Sequence, residues 1–312
     1  MYLGFMRIPR CSTSVVTLQK SRNIMTALEA KPITYVNPEL SGSEKPGTSI
    51  HLPYGFGPIP PADSAKPNKI FYFDIDNCLY QRSTRIHDMM QDKIHQYFKH
   101  SLQLDDEEAH RLHINYYKEY GLALEGLVRN HQVDALEYNA QVDDALDLKR
   151  VLHYNQPLRD MLIRIKETHQ FDYFWLVTNA YKNHALRVIS FLGLGDLFDG
   201  LTFCDYSRFP IVCKPMNDYF FHFLDLTHTR TNFRTPGVLK QQYFVDDSEI
   251  NVKAAHRLGF GNVIHYVEVE QEYKKLKQKD DFEEFYGSGD NSDSSKIRIV
   301  RDILDLESVM GN

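Results

Sequence analysis

A chain of 312 residues, 42% apolar and 25% charged, is long enough to bury a sizeable core in about two domains. Its 36 Lys and Arg against 42 Asp and Glu leave a net charge of −6, which argues against a general nucleic-acid or anionic-membrane binder. No run approaches the ~18 consecutive apolar residues of a spanning helix, so no stable membrane insertion is expected. The four cysteines (Cys11, Cys78, Cys204, Cys213) form no C-x-x-C pair, which speaks for a reducing, intracellular setting without a disulfide framework or a Cys-rich zinc site.

Residues 1–28 contain Arg7, Arg10, Lys20 and Arg22, many Ser and Thr, and no acid. The composition is that of a mitochondrial presequence, although a disordered extension or a start at Met25 explains it more economically. Residues 32–68 are rich in Pro, Gly and Ser, with Pro58, Pro60 and Pro61 close together, and read as an extended linker. The expectation is a disordered or extended segment over 1–68 and a folded part that starts near Lys69.

Residues 70–73 form an apolar run without alternation, the pattern of a strand buried on both faces of a parallel sheet. Similar runs recur at 173–177, 242–245 and 262–267, with a weaker one at 201–204. Helical patterns at 157–167, 184–192, 217–226 and 251–258 separate most of them. The alternation predicts an α/β fold, a doubly wound parallel sheet. Residues 82–154 are strongly helical and too long for an ordinary loop, so they read as a helical insertion after the first strand, with Asp105 or Asp106 capping one helix. Residues 274–295 are charged and Ser/Asp/Gly-rich and read as a mobile loop, followed by a last strand at 297–300 and a short helix at 303–306. The core would then comprise residues 69–81 and 155–312.

The first strand ends in Asp74-Ile75-Asp76, where open α/β sheets bind ligands. Alone, such a pair is as well explained by a solvated turn. The second ends in Thr178-Asn179, able to donate to a phosphoryl oxygen but equally common as a turn. Lys214-Pro215 precedes a helical run, with Pro suited to the first helical position. Asp246-Asp247 follows a buried strand, and two adjacent carboxylates there repel unless a cation compensates them. With Asp74 they make an oxygen-rich set suited to Mg²⁺. His110 and His113 could share a helix face, but no third zinc ligand is evident, and the histidines read as structural or exposed.

Asp-x-Asp, Thr-Asn, Lys-Pro and Asp-Asp, in that order and each at a strand end or helix start, resemble the four motifs of the haloacid dehalogenase superfamily. The resemblance covers residues 69–267 and implies a Rossmann-like core with a helical cap. Closer similarity is to the fungal pyrimidine 5′-nucleotidase group, which includes a phosphate-responsive phosphatase described as acting on lysophosphatidic acid and nucleotides. It is carried by residues 120–124, 135–139, 178–185, 198–202, 204–207 and 212–215. The tail after Glu268 and an insert around 227–239 have no counterpart in that group.

The resemblance implies Asp74 as nucleophile, Asp76 as general acid and base, and Mg²⁺ held by Asp74, the Asp76 carbonyl and Asp246. Asp247 would hold a water or orient Lys214, and Lys214, Thr178 and Asn179 would cradle the phosphoryl group. Cys78 would be a packing residue. The implied substrate is a small phosphomonoester, a pyrimidine nucleoside 5′-monophosphate, with lysophosphatidic acid as alternative and a non-catalytic phosphate sensor or scaffold as the other class. A dehalogenase would need neither Asp76 nor a metal. Selectivity is expected from the insertion, through Tyr116, Tyr117, Tyr120, Arg129, His131 and Tyr138. Residues 121–128 are the one stretch apolar enough for an acyl chain. A cytoplasmic location is expected, extending to the nucleus, with mitochondrial import as the minority reading.

Overall fold

The computed structural model describes residues 30–42, 45–61, 66–229 and 237–310. The presequence-like stretch and most of the 227–239 insert lie outside them. The described residues between 32 and 61 are not an extended linker. They fold into an antiparallel hairpin, β1 (Ile33–Val36) and β2 (Ser49–Leu52). Ile50 and Leu52 are buried in the same cluster as Phe71 and Phe73. The His51 amide donates to the Gly195 carbonyl at 2.9 Å and the Leu201 amide to Gly55 at 2.9 Å, while the Asn37 amide reaches Ser190 Oγ at 2.8 Å. Two alternating apolar residues between prolines suffice to anchor the segment but are too few to announce a strand.

After β3 (Ile70–Phe73) the chain makes four helices, α1 (Ile86–Leu102), α2 (Asp106–Tyr120), α3 (Ala123–His131) and α4 (Ala135–Gln141). Asp105, not Asp106, caps α2, accepting from the Glu108 amide at 2.8 Å. Then follow α5 (Gln156–Thr168), β4 (Tyr173–Val177), α6 (Lys182–Leu192), β5 (Gly200–Thr202), α7 (Asn217–Leu226), β6 (Tyr243–Asp246), α8 (Glu249–Leu258) and β7 (Asn262–Tyr266). The chain closes with α9 (Glu270–Lys277), α10 (Phe282–Tyr286) and β8 (Arg298–Val300), then a 3₁₀ segment, Ile303–Val309.

The six strands from β3 to β8 pair in parallel in the order β5-β4-β3-β6-β7-β8. Alternate residues of each strand enter opposite cores. Phe71, Phe73, Phe174 and Val245 meet α5 and α6 on one face, and Tyr72, Trp175 and Phe244 meet α7 and α8 on the other. This double burial is why the strands read as unbroken apolar runs. The doubly wound expectation holds.

The tail is a correction. Residues 274–295 are not a loop without an apolar face, because Leu276, Phe282, Phe285 and Tyr286 close over the second core. His265 of β7 ties them down. Its Nδ1 lies 2.9 Å from the Tyr286 hydroxyl and its Nε2 lies 3.0 Å from the Asp247 carbonyl. The Asp247 carbonyl can only accept, so Nε2 donates to it, and the neutral ring accepts the Tyr286 hydroxyl at Nδ1.

Two outcomes follow. Leu52→Ala should cost about 2–5 kcal/mol of unfolding free energy in urea, whereas a linker would give no change. Burial holds the His265 pKa down to about 4. The unfolded chain therefore takes up a proton that the folded one refuses as pH falls from about 6.5 to about 4, and stability is intact above that window and lost through it. His265→Gln keeps a donor and an acceptor without titrating, so its thermal midpoint should fall less over the same window.

Candidate active site

From β3 the sheet grows through β4 to β5 on one side, and from β6 through β7 to β8 on the other, so chain order reverses between these two central strands. Their carboxyl ends form the crevice where open sheets take ligands. Asp74 leaves β3 here, its amide donating to the Val245 carbonyl at 3.0 Å, and Asp246 ends β6. Between them lies the fully buried Lys214, whose Nζ donates to Asp74 Oδ1 at 2.6 Å, Asp246 Oδ2 at 2.7 Å and the Val177 carbonyl at 3.0 Å.

Asn179 holds the Lys214 backbone in place. The Asn179 side chain donates to the Lys214 carbonyl at 2.9 Å and accepts from its amide at 2.8 Å. One N–H and the oxygen of the Asn179 side chain are thus engaged with Lys214, while the residue still borders the cavity floor. Pro215 follows a cis bond and stands before the Met216 cap of α7, not at its first helical position.

Burial pushes the Asp74 carboxyl well above its ordinary range, with Lys214 opposing and Asp246 and Asp247 reinforcing the rise. Asp247, half-buried at the cavity wall, is raised to about 8, first by desolvation and then by Asp246. For Lys214, burial alone would lower the pKa, but Asp246 and Asp74 outweigh it and keep the ammonium charged.

Asp76 faces a different set of partners. Its Oδ1 receives Tyr80 OH at 2.8 Å and lies 2.7 Å from His184 Nε2, and its Oδ2 lies 3.5 Å from Thr178 Oγ1. Burial would raise this carboxyl, yet His184 and Tyr80 outweigh it and hold it below the usual range. Burial would likewise depress His184, and Asp76 reverses the sign. His184 was legible only as part of the 178–185 string, where a histidine three residues into a helix carries no signal of its target. Cys78 is buried and packs in the first core.

A cavity of about 560 Å³ opens over these groups, bounded on the core side by Asp74, Asp76, Thr178, Asn179, Lys214 and Asp247. The roof comes from one stripe of α1 (His87, Met90, Gln91, Ile94) and one of α2 (His113, Ile114, Tyr117), with Leu122, Tyr138 and Asp143 beside them. Of the six cap residues expected to face the leaving group, Tyr117 and Tyr138 do. Tyr116, Tyr120, Arg129 and His131 instead pack the cap itself: the Tyr116 hydroxyl lies 2.8 Å from His131 Nε2, its ring meets Tyr120, and Arg129 stands over Tyr120. Residues 123–127 likewise turn mostly into the cap's core.

Asp74, Asp246 and Asp247 bring carboxylate oxygens within 4.8 Å of one another, a grouping of metal-binding type among the described residues. Three crowded acids against one ammonium fit a hard divalent cation with oxygen ligands. Asp247 thus stands within reach of the same cation, and the hydrogen bonds that orient Lys214 come from Asp74 and Asp246. The reason is local: Asp247 sits just ahead of the Ser248 cap of α8, at the cavity wall.

Residues 69–259 match the family model for haloacid dehalogenase-like hydrolases. The chain is 39% identical over 272 residues to Phosphate metabolism protein 8 of Saccharomyces cerevisiae, covering 85% of this chain and 78% of that protein. Among solved structures it is similar to CbbY from Rhodobacter sphaeroides in complex with phosphate, at 14% identity and a TM-score of 0.46, over 77% of this chain and 96% of that one. It is also similar to L-2-haloacid dehalogenase from Xanthobacter autotrophicus, at 16% identity and a TM-score of 0.39, over 78% and 98%.

If these three acids hold a cation, saturating Mg²⁺ should raise the thermal midpoint, by linkage worth about 2.7 kcal/mol at a hundredfold excess over Kd. Asp247→Asn should lose most of that gain. An equal gain in both proteins would remove Asp247 from the set.

Proposed function

Because the chain belongs to the haloacid dehalogenase-like hydrolases, we propose that it is a Mg²⁺-dependent phosphomonoesterase acting on nucleoside 5′-monophosphates, pyrimidines preferred. The observation that carries the phosphatase reading is the Lys214 ammonium bonded to both Asp74 and Asp246 at the crevice between β3 and β6. It leaves one carboxylate beside a fixed positive charge at the floor of a cavity sized for a small molecule.

In this reading an Asp74 oxygen attacks phosphorus and the bond from phosphorus to the leaving oxygen breaks. The phosphoryl charge of the bound ester opposes the pull of His184 and Tyr80 and places a proton on Asp76, which gives it to that oxygen as the alcohol departs. A water then attacks the aspartyl-phosphate, Asp76 takes its proton, and the bond to Asp74 breaks to release phosphate. Lys214 binds the anionic oxygens while keeping Asp74 in place, and Thr178 borders the same floor. Asp74, Asp246 and Asp247, with the Asp76 carbonyl that the family resemblance implies, would hold Mg²⁺. When bound, the ion supplies charge that keeps Asp74 ionised and offsets the phosphoryl oxygens.

The nucleotide preference is supported by a roof where the rings of Tyr117 and Tyr138 and the polar tips of Gln91 and His87 interleave. Rings can stack on a base and amides can meet its edge. The second reading, lysophosphatidic acid, is favoured by Met90, Ile94, Ile114 and Leu122 on the same roof. An acyl chain there would have to desolvate the polar tips between them.

Asp74→Asn should abolish turnover in a protein that still folds, since an amide is a poor nucleophile. Wild type should hydrolyse 5′-UMP or 5′-CMP with a kcat/KM at least about tenfold above that for lysophosphatidic acid below its micelle threshold, a difference of ~1.4 kcal/mol in barrier. The opposite ratio would overturn the nucleotide preference and leave the phosphatase standing.

A further inference from the structure

His184 is the third residue of α6, at 0% exposure. A buried imidazole is costly unless its nitrogens are paired. Its Nε2 meets Asp76 Oδ1 at 2.7 Å, while its Nδ1 is buried with no hydrogen-bond partner among the described residues. An apolar side chain would fill this place in the first core, where Ala185, Val188 and Ile189 pack, with less loss of hydration. Among the described residues the ring's hydrogen bond is therefore to Asp76, with the Asp143 carboxylate acting on it through space.

The carboxylate it meets is gripped from three separate elements. Tyr80, four residues on from Asp76, donates to Oδ1 at 2.8 Å; His184 of α6 holds the same oxygen; and Thr178, at the end of β4, lies 3.5 Å from Oδ2. Asp76 is itself a quarter exposed and borders the cavity. Lys214, which grips Asp74, makes no bond to it. The two acids of the Asp-x-Asp pair are thus held by independent sets of partners.

We propose that His184 is a positioning residue for the phosphatase reaction, fixing the Asp76 carboxyl toward the leaving-group oxygen, with Tyr80 as the second anchor on the same atom. The inference rests on the phosphatase reading above and adds a requirement that reading lacks. Loss of His184 should harm only the steps that need Asp76, namely protonation of a poor leaving group and activation of water. It should spare attack by Asp74 when the leaving group departs unaided, and it should spare phosphate binding.

The test follows the first turnover and the steady state with Mg²⁺ present, comparing p-nitrophenyl phosphate, whose phenolate leaves without an acid, with 5′-UMP, whose alkoxide does not. His184→Ala should release its first equivalent of p-nitrophenolate within about threefold of the wild-type rate, then turn over about 10²-fold more slowly. With 5′-UMP, the first equivalent of uridine should itself be slowed by about that factor, with KM little changed. His184→Gln, which keeps an N–H donor, should recover much of the loss, and Tyr80→Phe should show the same pattern more weakly.

Equal slowing of both first turnovers, or no change in either, would overturn the positioning role. If His184→Ala does not fold, the same comparison in Tyr80→Phe and His184→Gln decides. Wild type that hydrolyses neither ester would overturn the phosphatase reading, and this inference with it.

Discussion

A buried ammonium shared by two carboxylates is the constraint around which the site is organised. Lys214 Nζ sits 2.6 Å from Asp74 and 2.7 Å from Asp246, all three side chains being almost wholly withdrawn from solvent. Removing one member of such a set costs about 3–5 kcal/mol, because a charge is left buried without its partner. The neighbourhood is arranged to prevent that. Asn179 ties the Lys214 backbone at both its amide and its carbonyl. Gly121, at φ +79°, lets the cap come down on the Lys214-Pro215 peptide, where a Cβ would meet Pro215 Cδ at 2.9 Å and the Lys214 carbonyl at 3.1 Å.

That contact belongs to a wider junction. Tyr97, Phe98, Tyr116, Leu124 and Leu127 of the cap share one buried cluster with Cys204, Tyr206, Ile211 and Cys213 of the core. Buried Glu125 of α3 accepts from the Ile211 amide at 3.0 Å. The loop that delivers Lys214 is therefore packed into the cap. The floor and the roof of the cavity are thus joined through packed side chains. Asp74, Asp246 and Asp247 outnumber the one ammonium bonded among them, which fits an occupant that brings positive charge with it.

What was legible in the sequence follows from where burial is two-sided. The run Ile70-Phe71-Tyr72-Phe73 announces itself because every residue is inside, and the acids at its end stand out against it. The hairpin and the tail were opaque because each buries only scattered residues, such as Leu52 or Phe285, in otherwise polar stretches. Neighbours Tyr116 and Tyr117 show a second limit. They follow one another on α2, yet one packs inside the cap and the other lines the cavity, a choice made by how the helix seats on its neighbours. Asn179 and His184 show a third: residue type marks them as polar near a strand end, but which partner each grips depends on segments 35 and 108 positions away.

The proposed reaction stands or falls on a covalent bond between Asp74 and phosphorus. The most direct measurement is acid quench of the enzyme during turnover of p-nitrophenyl phosphate with Mg²⁺, followed by peptide mass analysis. One phosphoryl group is expected on the peptide carrying Asp74, absent in Asp74→Asn. Sustained turnover with no phosphorylated peptide, or with the group on another residue, would contradict the proposed reaction.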